Sequence, residues 1–419
     1  MENNKRLYFI TEASVNGIGG AQLYLVRRIK YLKEKNDVII ITGDCKSIVL
    51  PELKKVKILE YNFLNLNKQD ISLNKKYTKI IIKELEMVIR EYKEVYFECH
   101  DYELWFEKIC SFLKINYIIY MLLELPLFQD RNLNFYLEKL RRKELIGISK
   151  EALKISLGKY YEEKYNEYVN IGFDPKDIKS NLIKVKELGL EKKDEIFRII
   201  IVSRLEKEYV EKAIEEIYKL SEEEVNLNIE LVIVGDSKDG KEKIRLENKY
   251  FSSRNLKIKF FGYINPLFAE LYLNSDLFIG MGTALINAAS FGCISLGIDP
   301  RNNEASGFLG IDLFSFGYSS NGVTYKIKNR VKEYIYLSNE EKKNYKIKTK
   351  DFFYKEYNFE ITMKKLDYYI FKKDKNFECI KIKLDVKSIL KNYLKKVLFL
   401  LKIEKYIRKI FKTKKLFHI

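Results

Sequence analysis

The feature that most constrains the fold is an alternation of short apolar runs with helical stretches, which occurs twice along the chain. The first series of apolar runs lies at residues 6–11, 37–42, 94–97, 117–122 and 145–149. A second series, after a charged segment, lies at residues 197–203, 230–234, 258–261, 277–279 and 293–298, with helical stretches at 210–220, 265–273 and 284–291. Apolar runs joined by helices are typical of buried parallel strands. We therefore predict an α/β chain with doubly wound domains at residues 1–170 and 171–370 and a tail at 371–419.

Cysteine usage and hydropathy indicate the compartment. The five cysteines lie far apart and include no Cys-x-x-Cys, so the sequence indicates neither a disulfide framework nor a metal site. No apolar run approaches the roughly 18 residues of a spanning helix, and the start of the chain lacks a signal-peptide core. We therefore expect a cytoplasmic protein.

Positive charge is concentrated in the tail. Residues 371–419 carry 16 Lys or Arg and 4 Asp or Glu, a balance of +12 within the net charge of +18. Between residues 386 and 415, apolar residues recur at helical spacing with lysines on the other face, which predicts an amphipathic helix on an anionic membrane surface. The alternative is a helix packed on the N-terminal domain. Nucleic acid is not expected as a partner, because no recognised module accompanies the charge.

A glycine-rich segment follows the first apolar run. Gly19 and Gly20 precede a predicted helix, where a backbone without side chains can approach a ligand and free N–H groups face it. Gln22 stands where a dinucleotide fingerprint would place its last glycine, so an NAD site is disfavoured. A tight strand-to-helix turn is the alternative interpretation.

Cations follow the first apolar run of the second series. Ser203, Arg204 and Lys207 lie where that predicted strand ends, which is the edge at which open α/β sheets bind ligands. Arg binds phosphate through its planar fork and Lys through its point charge, so this position favours a diphosphate.

A third segment joins the run at 277–279 to a helix rich in small residues. Gly282 opens space before the helix, Thr283 is expected to cap it, and Asn287 lies on the same helix face, where its amide can bind ribose hydroxyls. A close-packed helix against the sheet is the alternative.

The order of these segments resembles the GT-B glycosyltransferases, specifically glycosyltransferase family 4. The matching motifs, over residues 5–370, are Gly19-Gly20, His100-Asp101, Asn-Ile-Gly-Phe-Asp at 170–174, Ser203-Arg204-Leu205, Val234-Gly235, Phe-Phe-Gly at 260–262 and Asn-Ala-Ala-Ser-Phe-Gly at 287–292. The resemblance implies two Rossmann-like domains that face each other across a cleft, the first binding the acceptor and the second the donor.

The resemblance also implies the reaction. A sugar would pass from a UDP- or GDP-linked donor to a membrane-associated glycan or lipid-linked acceptor, with retention of configuration and without a metal or other cofactor. The reaction would belong to surface polysaccharide synthesis at the inner face of the membrane. His100, Arg204 and Lys207 would act at the reaction centre. The donor would be bound by Gly19, Gly20, Ser203, Gly235, Gly282, Thr283 and Asn287.

Two departures from the family pattern fall in the donor site. Asn287 stands where relatives carry the second of two glutamates, and the first glutamate has no counterpart. Tyr209 stands where relatives carry a lysine, so Lys207 is taken as its substitute. A non-catalytic GT-B subunit that scaffolds an active enzyme is therefore a second hypothesis, and an isomerase or phosphorylase of the same fold is a third.

Overall fold

A computed structural model describes residues 6–17, 19–66, 75–121, 133–164, 167–237, 239–319, 321–371 and 377–380. The described residues form two compact units, one from those within Met1–Asn170 and Met363–Ile419 and the other from those within Ile171–Thr362. The membrane-binding helix predicted at 386–415 lies outside the described residues. Within them, no helix is long and apolar enough to cross a membrane.

The first unit is a six-stranded parallel sheet with helices. Its strands are β1 (Arg6–Glu12), β2 (Asp37–Thr42), β3 (Lys57–Glu60), β4 (Glu94–Cys99), β5 (Asn116–Met121) and β6 (Leu145–Gly147), in the order β3-β2-β1-β4-β5-β6. Its helices are α1 (Gly20–Leu32), α2 (Lys75–Ile89), α3 (Glu103–Leu113), α4 (Leu133–Arg141) and α5 (Lys150–Leu157). The order changes direction at β1 and β4, so the carboxyl ends of these two strands form the switch point of the sheet.

The second unit repeats this plan. Its strands are β7 (Phe197–Val202), β8 (Ile229–Val234), β9 (Leu256–Phe260), β10 (Leu277–Gly280), β11 (Ile294–Asp299) and β12 (Glu304–Phe308), in the order β12-β11-β10-β7-β8-β9. Only β12 runs antiparallel among these described strands. The helices are α6 (Leu182–Glu187), α7 (Glu208–Glu223), α8 (Lys241–Lys249), α9 (Glu270–Leu273), α10 (Thr283–Ser290), α11 (Ile327–Tyr336), α12 (Asn339–Tyr357) and α13 (Phe359–Ile370), the last of which ends in the first unit.

Strands form where the apolar runs predict them. The central strands are buried on both faces, as in the run Ile199, Ile200 and Ile201 of β7, which is 0% exposed throughout. Burial on both faces explains why these strands read as continuous apolar runs rather than as alternating patterns. The α/β prediction with two doubly wound sheets is confirmed.

The structure differs from the prediction in two places. The predicted helix at 265–273 is reduced to α9, Glu270–Leu273. Residues 363–370, placed in the second domain by the sequence, belong to the first unit. The reason is Asp367, which accepts hydrogen bonds from Arg28 at 3.0 Å and from Tyr31 at 2.9 Å.

Gly235 allows two strand ends of the second unit to approach closely. Its φ is +138°, and a Cβ atom at this position would lie 1.7 Å from the carbonyl oxygen of Ser203. The Gly235 N–H donates to Gly262 at 2.7 Å, and the Ser203 N–H donates to Val234 at 2.9 Å. Only glycine therefore fits between the ends of β7 and β8.

We predict that Gly235→Ala lowers the free energy of unfolding by at least about 2 kcal/mol more than Gly240→Ala, because only the first adds a backbone clash. Gly240 is the matched control, since its φ is also positive, at +69°, and nothing lies within 4 Å of an added Cβ. Urea denaturation of both variants measures the difference. Equal losses would mean that backbone conformation alone requires glycine at residue 235.

Candidate functional site

The predicted site residues lie at the carboxyl ends of strands in both units. Three belong to the first unit, where Gly19 and Gly20 follow β1 and His100 follows β4. Seven belong to the second unit and follow β7, β8 and β10: Ser203, Arg204, Lys207, Gly235, Gly282, Thr283 and Asn287. Each unit therefore gathers its own residues at one sheet edge.

Arg204 and Lys207 form an unneutralised pair of cations in the loop between β7 and α7. Arg204 is exposed and Lys207 is partly buried, and neither makes an ion pair with any described residue. Burial of Lys207, together with the positive charge of Arg204, lowers the pKa of the lysine. Two close cations without a carboxylate repel each other, so an anion bound between them would relieve a real electrostatic cost.

Tyr209 does not take the place of a phosphate-binding residue. Its side chain is 1% exposed, and burial raises its pKa to about 12. The Lys207 Nζ atom lies 5.8 Å from the centre of the Tyr209 ring, a distance at which the ring attracts the ammonium charge through a cation–π interaction. The side chain of Lys207, and not that of Tyr209, therefore lies beside Arg204.

The helix α10 begins directly after a two-residue turn, Met281 and Gly282. The predicted cap is wrong: Gly282 is the N-cap, with φ +68°, and Thr283 is the first helical residue. No side chain caps the helix, and its first turn holds no acidic residue. Glycine takes the cap position because φ is positive there. The N–H groups of the first turn remain available to an anion or a hydroxyl.

Asn287 lies one turn into α10 and is partly buried. Its backbone carbonyl accepts from Ser290 Oγ at 2.6 Å, while its side-chain amide makes no hydrogen bond with any described residue. The side-chain amide is therefore available to a ligand. The predicted contact between this amide and a ribose hydroxyl stays a prediction.

In the first unit, Gly19 is the N-cap of α1 and makes no side-chain cap. A Cβ at Gly19 would lie 2.8 Å from Oε1 of Gln22, whose Nε2 donates to the Ser14 carbonyl at 2.9 Å. Gly20 is exposed. No side chain caps α1, and its first turn contains no acidic residue. The positive end of the helix dipole is therefore not balanced by a carboxylate of the first turn.

His100 lies at the centre of a buried polar network, which we call the Glu98 network. It consists of Glu12, His100, Glu98, Arg28, Tyr8, Tyr24 and Asp367. The His100 Nδ1 atom lies 3.2 Å from Glu12 Oε2, and its Nε2 atom lies 2.9 Å from Glu98 Oε1. Both ring nitrogens are therefore used within the first unit. The assignment of His100 to the reaction centre, where it would touch the donor sugar or the acceptor, stays a prediction.

The network fixes the charge of His100. Burial opposes protonation, but hydrogen bonds and negative charge from Glu12 and Glu98 outweigh it and raise the pKa of His100 to about 9. Two carboxylates can each accept a hydrogen bond only when both ring nitrogens carry protons. His100 is accordingly an imidazolium at neutral pH.

Sequence reasoning missed Glu12, Glu98 and Arg28. Glu98 and Arg28 are 0% exposed and Glu12 is 5% exposed, which is rare for charged residues unless they are paired. The available signal was a carboxylate within each of two apolar strands, in Phe-Ile-Thr-Glu at 9–12 and Tyr-Phe-Glu-Cys at 96–99. Within the described residues, no cluster of three or more His, Cys, Asp or Glu could hold a metal ion.

The architecture of this chain is similar to that of several solved structures. Anabaena Alr3699/HepE in complex with UDP is similar with a TM-score of 0.60 and 13% identity, over 87% of this chain and 98% of that one. A UDP-forming trehalose-phosphate synthase from Burkholderia xenovorans is similar with a TM-score of 0.55 and 11% identity, over 87% of this chain and 98% of that one. WaaG, a glycosyltransferase involved in lipopolysaccharide biosynthesis, is similar with a TM-score of 0.52 and 12% identity, over 87% of this chain and 99% of that one. No curated protein matches the chain in sequence.

These likenesses and the two six-stranded sheets define a protein of the GT-B fold, and the predicted resemblance to this class is confirmed. Within the chain, residues 184–305 match the family model of the glycosyl transferases group 1. That segment contains the cation pair and the N-terminus of α10. The narrower assignment to family 4 stays a prediction.

We predict that His100 makes the stability of the first unit dependent on pH. Its pKa in the folded chain, about 9, exceeds the ordinary value of 6.5, so its contribution is complete below pH 6.5 and disappears as the pH rises through 9. The free energy of unfolding of the wild type, less that of His100→Gln, should fall by up to about 3 kcal/mol over this range. Urea denaturation of both proteins at several pH values between 6 and 10 measures this difference in the free energy of unfolding. A difference that stays constant or rises with pH would show that folding does not raise the pKa of His100.

Proposed function

We propose that this protein is a glycosyltransferase that moves a sugar from a nucleotide-diphosphate donor to a membrane-associated glycan or lipid-linked acceptor, in surface polysaccharide biosynthesis. The observation that carries the proposal is the unneutralised pair Arg204 and Lys207 at the carboxyl end of β7. The pair lies within the group 1 segment, residues 184–305. Similar structures were solved with UDP and with UDP-glucose, which favours a UDP-linked donor, with GDP as the alternative.

The residues of the second unit suit departure of a diphosphate. Negative charge builds on the diphosphate as the bond to the sugar breaks, and groups that already point at this charge lower the barrier most. Arg204 and Lys207 supply two positive charges, so the proposed reaction needs no metal ion. The uncapped N-terminus of α10 adds N–H donors, and the Asn287 amide binds a ribose hydroxyl. Retention of configuration is proposed from the resemblance alone.

A non-catalytic GT-B subunit is the second candidate, and one observation favours it. Only Met281 and Gly282 separate β10 from α10, and α10 contains no acidic residue. Both glutamates that relatives carry in this region are therefore missing. Such a subunit would bind a nucleotide without turning it over.

We predict that UDP and UDP-sugars stabilise the protein against heat and that Arg204→Ala weakens this binding by about 10- to 100-fold, because a charge-assisted hydrogen bond contributes about 1.5–3 kcal/mol. Each tenfold excess of ligand over its dissociation constant adds about 1.4 kcal/mol of stability. Arg254→Ala is the control, since Arg254 is an exposed arginine of the same unit. If no nucleotide stabilises the folded wild type, the donor site is absent.

Turnover separates the two candidates. Release of UDP from UDP-glucose and related donors should be detected in the presence of membrane extract and should fall in Lys207→Gln. Nucleotide binding without any release would favour the scaffolding subunit instead.

We further propose that the protein is cytoplasmic and peripheral at the inner face of the membrane, held by residues 386–415. The support is the charge of the tail, since each basic residue near an anionic surface contributes roughly 1 kcal/mol. We predict that the full chain sediments with phosphatidylglycerol vesicles at low salt and that a chain ending at residue 385 does not. Equal sedimentation of both chains would place the membrane contact elsewhere.

A further inference from the structure

Glu12 is a nearly buried carboxylate with an unused oxygen. It is the last residue of β1, and its side chain is 7% exposed. The Oε2 atom meets His100 Nδ1 at 3.2 Å, whereas Oε1 makes no hydrogen bond with any described residue. A carboxylate oxygen that is not used by the described residues can accept a hydrogen bond from a ligand or from ordered water.

The other carboxylate bound to His100 has no such capacity. Glu98 Oε1 accepts from Tyr24 at 2.8 Å and from His100, while Oε2 accepts from Tyr8 at 2.7 Å and from Arg28 at 2.9 Å. Its four hydrogen bonds saturate both oxygens. Within the Glu98 network, the open hydrogen-bonding position at the sheet edge belongs to Glu12.

The position of Glu12 suits a ligand. It lies at the switch point of the first sheet, and residues 13–19 connect it to the uncapped N-terminus of α1. A carboxylate acceptor and N–H donors close in sequence and at the same edge can bind a group that both donates and accepts hydrogen bonds. A hydroxyl is such a group.

We propose that Glu12 binds a hydroxyl group of the acceptor sugar through Oε1 and that His100 is a positioning residue that holds the Glu12 carboxylate. This inference rests on the proposed glycosyltransferase function, and it assigns sugar contact to Glu12 in place of His100. Carboxylates accept hydroxyl hydrogen bonds strongly because the acceptor is charged.

The charge of His100 supports this role. Five groups from four elements face or pack near its ring: Glu12 of β1, Glu98 of β4, Tyr24 and Arg28 of α1, and Tyr120 of β5. Glu12 and Glu98 raise the pKa of His100 to about 9 against the effect of burial. A protonated ring donates to Glu12 and fixes the direction of its second oxygen.

The test measures sugar binding to the full chain by saturation-transfer NMR, with the methyl glycosides of glucose, galactose and N-acetylglucosamine as probes. We expect at least one glycoside to bind the wild type, and Glu12→Gln to weaken its binding about tenfold or more. Glu52→Gln is the control, since Glu52 is an exposed carboxylate of the same unit, and should bind as the wild type does. Near-UV circular dichroism verifies that each variant is folded.

The pH dependence of binding tests the positioning role. Glycoside binding to the wild type should weaken above about pH 9, because the imidazolium that holds Glu12 is lost. Binding to His100→Gln should be weaker than wild-type binding below about pH 9 and should lack this transition. UDP stabilisation should be unchanged in Glu12→Gln, so the donor site and this site fail independently. Absence of binding by all three glycosides, or equal binding to wild type and Glu12→Gln, would overturn the inference.

Discussion

The buried carboxylate of Glu98 is the group on which the geometry of the first unit depends. It is 0% exposed, and a charge at this depth is tolerated only when other groups replace its hydration. Arg28 and His100 supply the opposite charge, and Tyr8 and Tyr24 complete the hydrogen bonds. Arg28 balances the carboxylate strongly enough to hold the pKa of Glu98 far below its usual range, even though burial acts in the other direction.

The Glu98 network also connects distant parts of the sequence. It joins β1, β4 and α1, and Arg28 extends it to Asp367, which is 339 positions away from Arg28 in the sequence. Removing one partner of a buried pair leaves an uncompensated charge, which is far more costly than the net gain from forming the pair. The Glu98 network therefore favours one arrangement of the first unit, in which α13 is joined to α1 through Arg28 and Asp367.

The second unit places its buried charges differently. Arg198 of β7 pairs with Glu230 of β8 at 2.6 Å, and Lys259 of β9 adds a second ion pair to Glu230 at 2.7 Å. Arg198 and Glu230 are cross-strand partners near the starts of their strands. Charges at the amino end of this sheet are thus balanced, whereas Arg204 and Lys207 at the carboxyl end are not. This asymmetry is a second observation in support of the diphosphate site proposed at the carboxyl edge.

The sequence predicts what depends on local pattern and misses what depends on distant pairing. Continuous apolar runs identified the central strands, but β3 is half-exposed and β12 contains Gly307, so neither has that pattern. The Gly282 cap was missed because both Gly and Thr are acceptable caps, and only backbone φ separates them. The partners of His100 could not be predicted, because Glu12 is 88 positions away and its pairing requires β1 and β4 to be neighbours.

The short turn before α10 bears on the selectivity of the proposed donor site. Hydrogen bonds to a charged acceptor contribute about 1.5–3 kcal/mol, whereas neutral ones contribute about 0.5–1.5 kcal/mol. With Met281 and Gly282 as the whole turn, the groups that this segment offers to a hydroxyl are backbone N–H groups, the Thr283 hydroxyl and the Asn287 amide, all of which are neutral. Affinity for a donor therefore rests mainly on its diphosphate, which is common to all nucleotide sugars. Selection among donor sugars by this segment of the second unit is accordingly expected to be weak, because neutral groups separate correct from incorrect hydroxyls by less free energy than a carboxylate would.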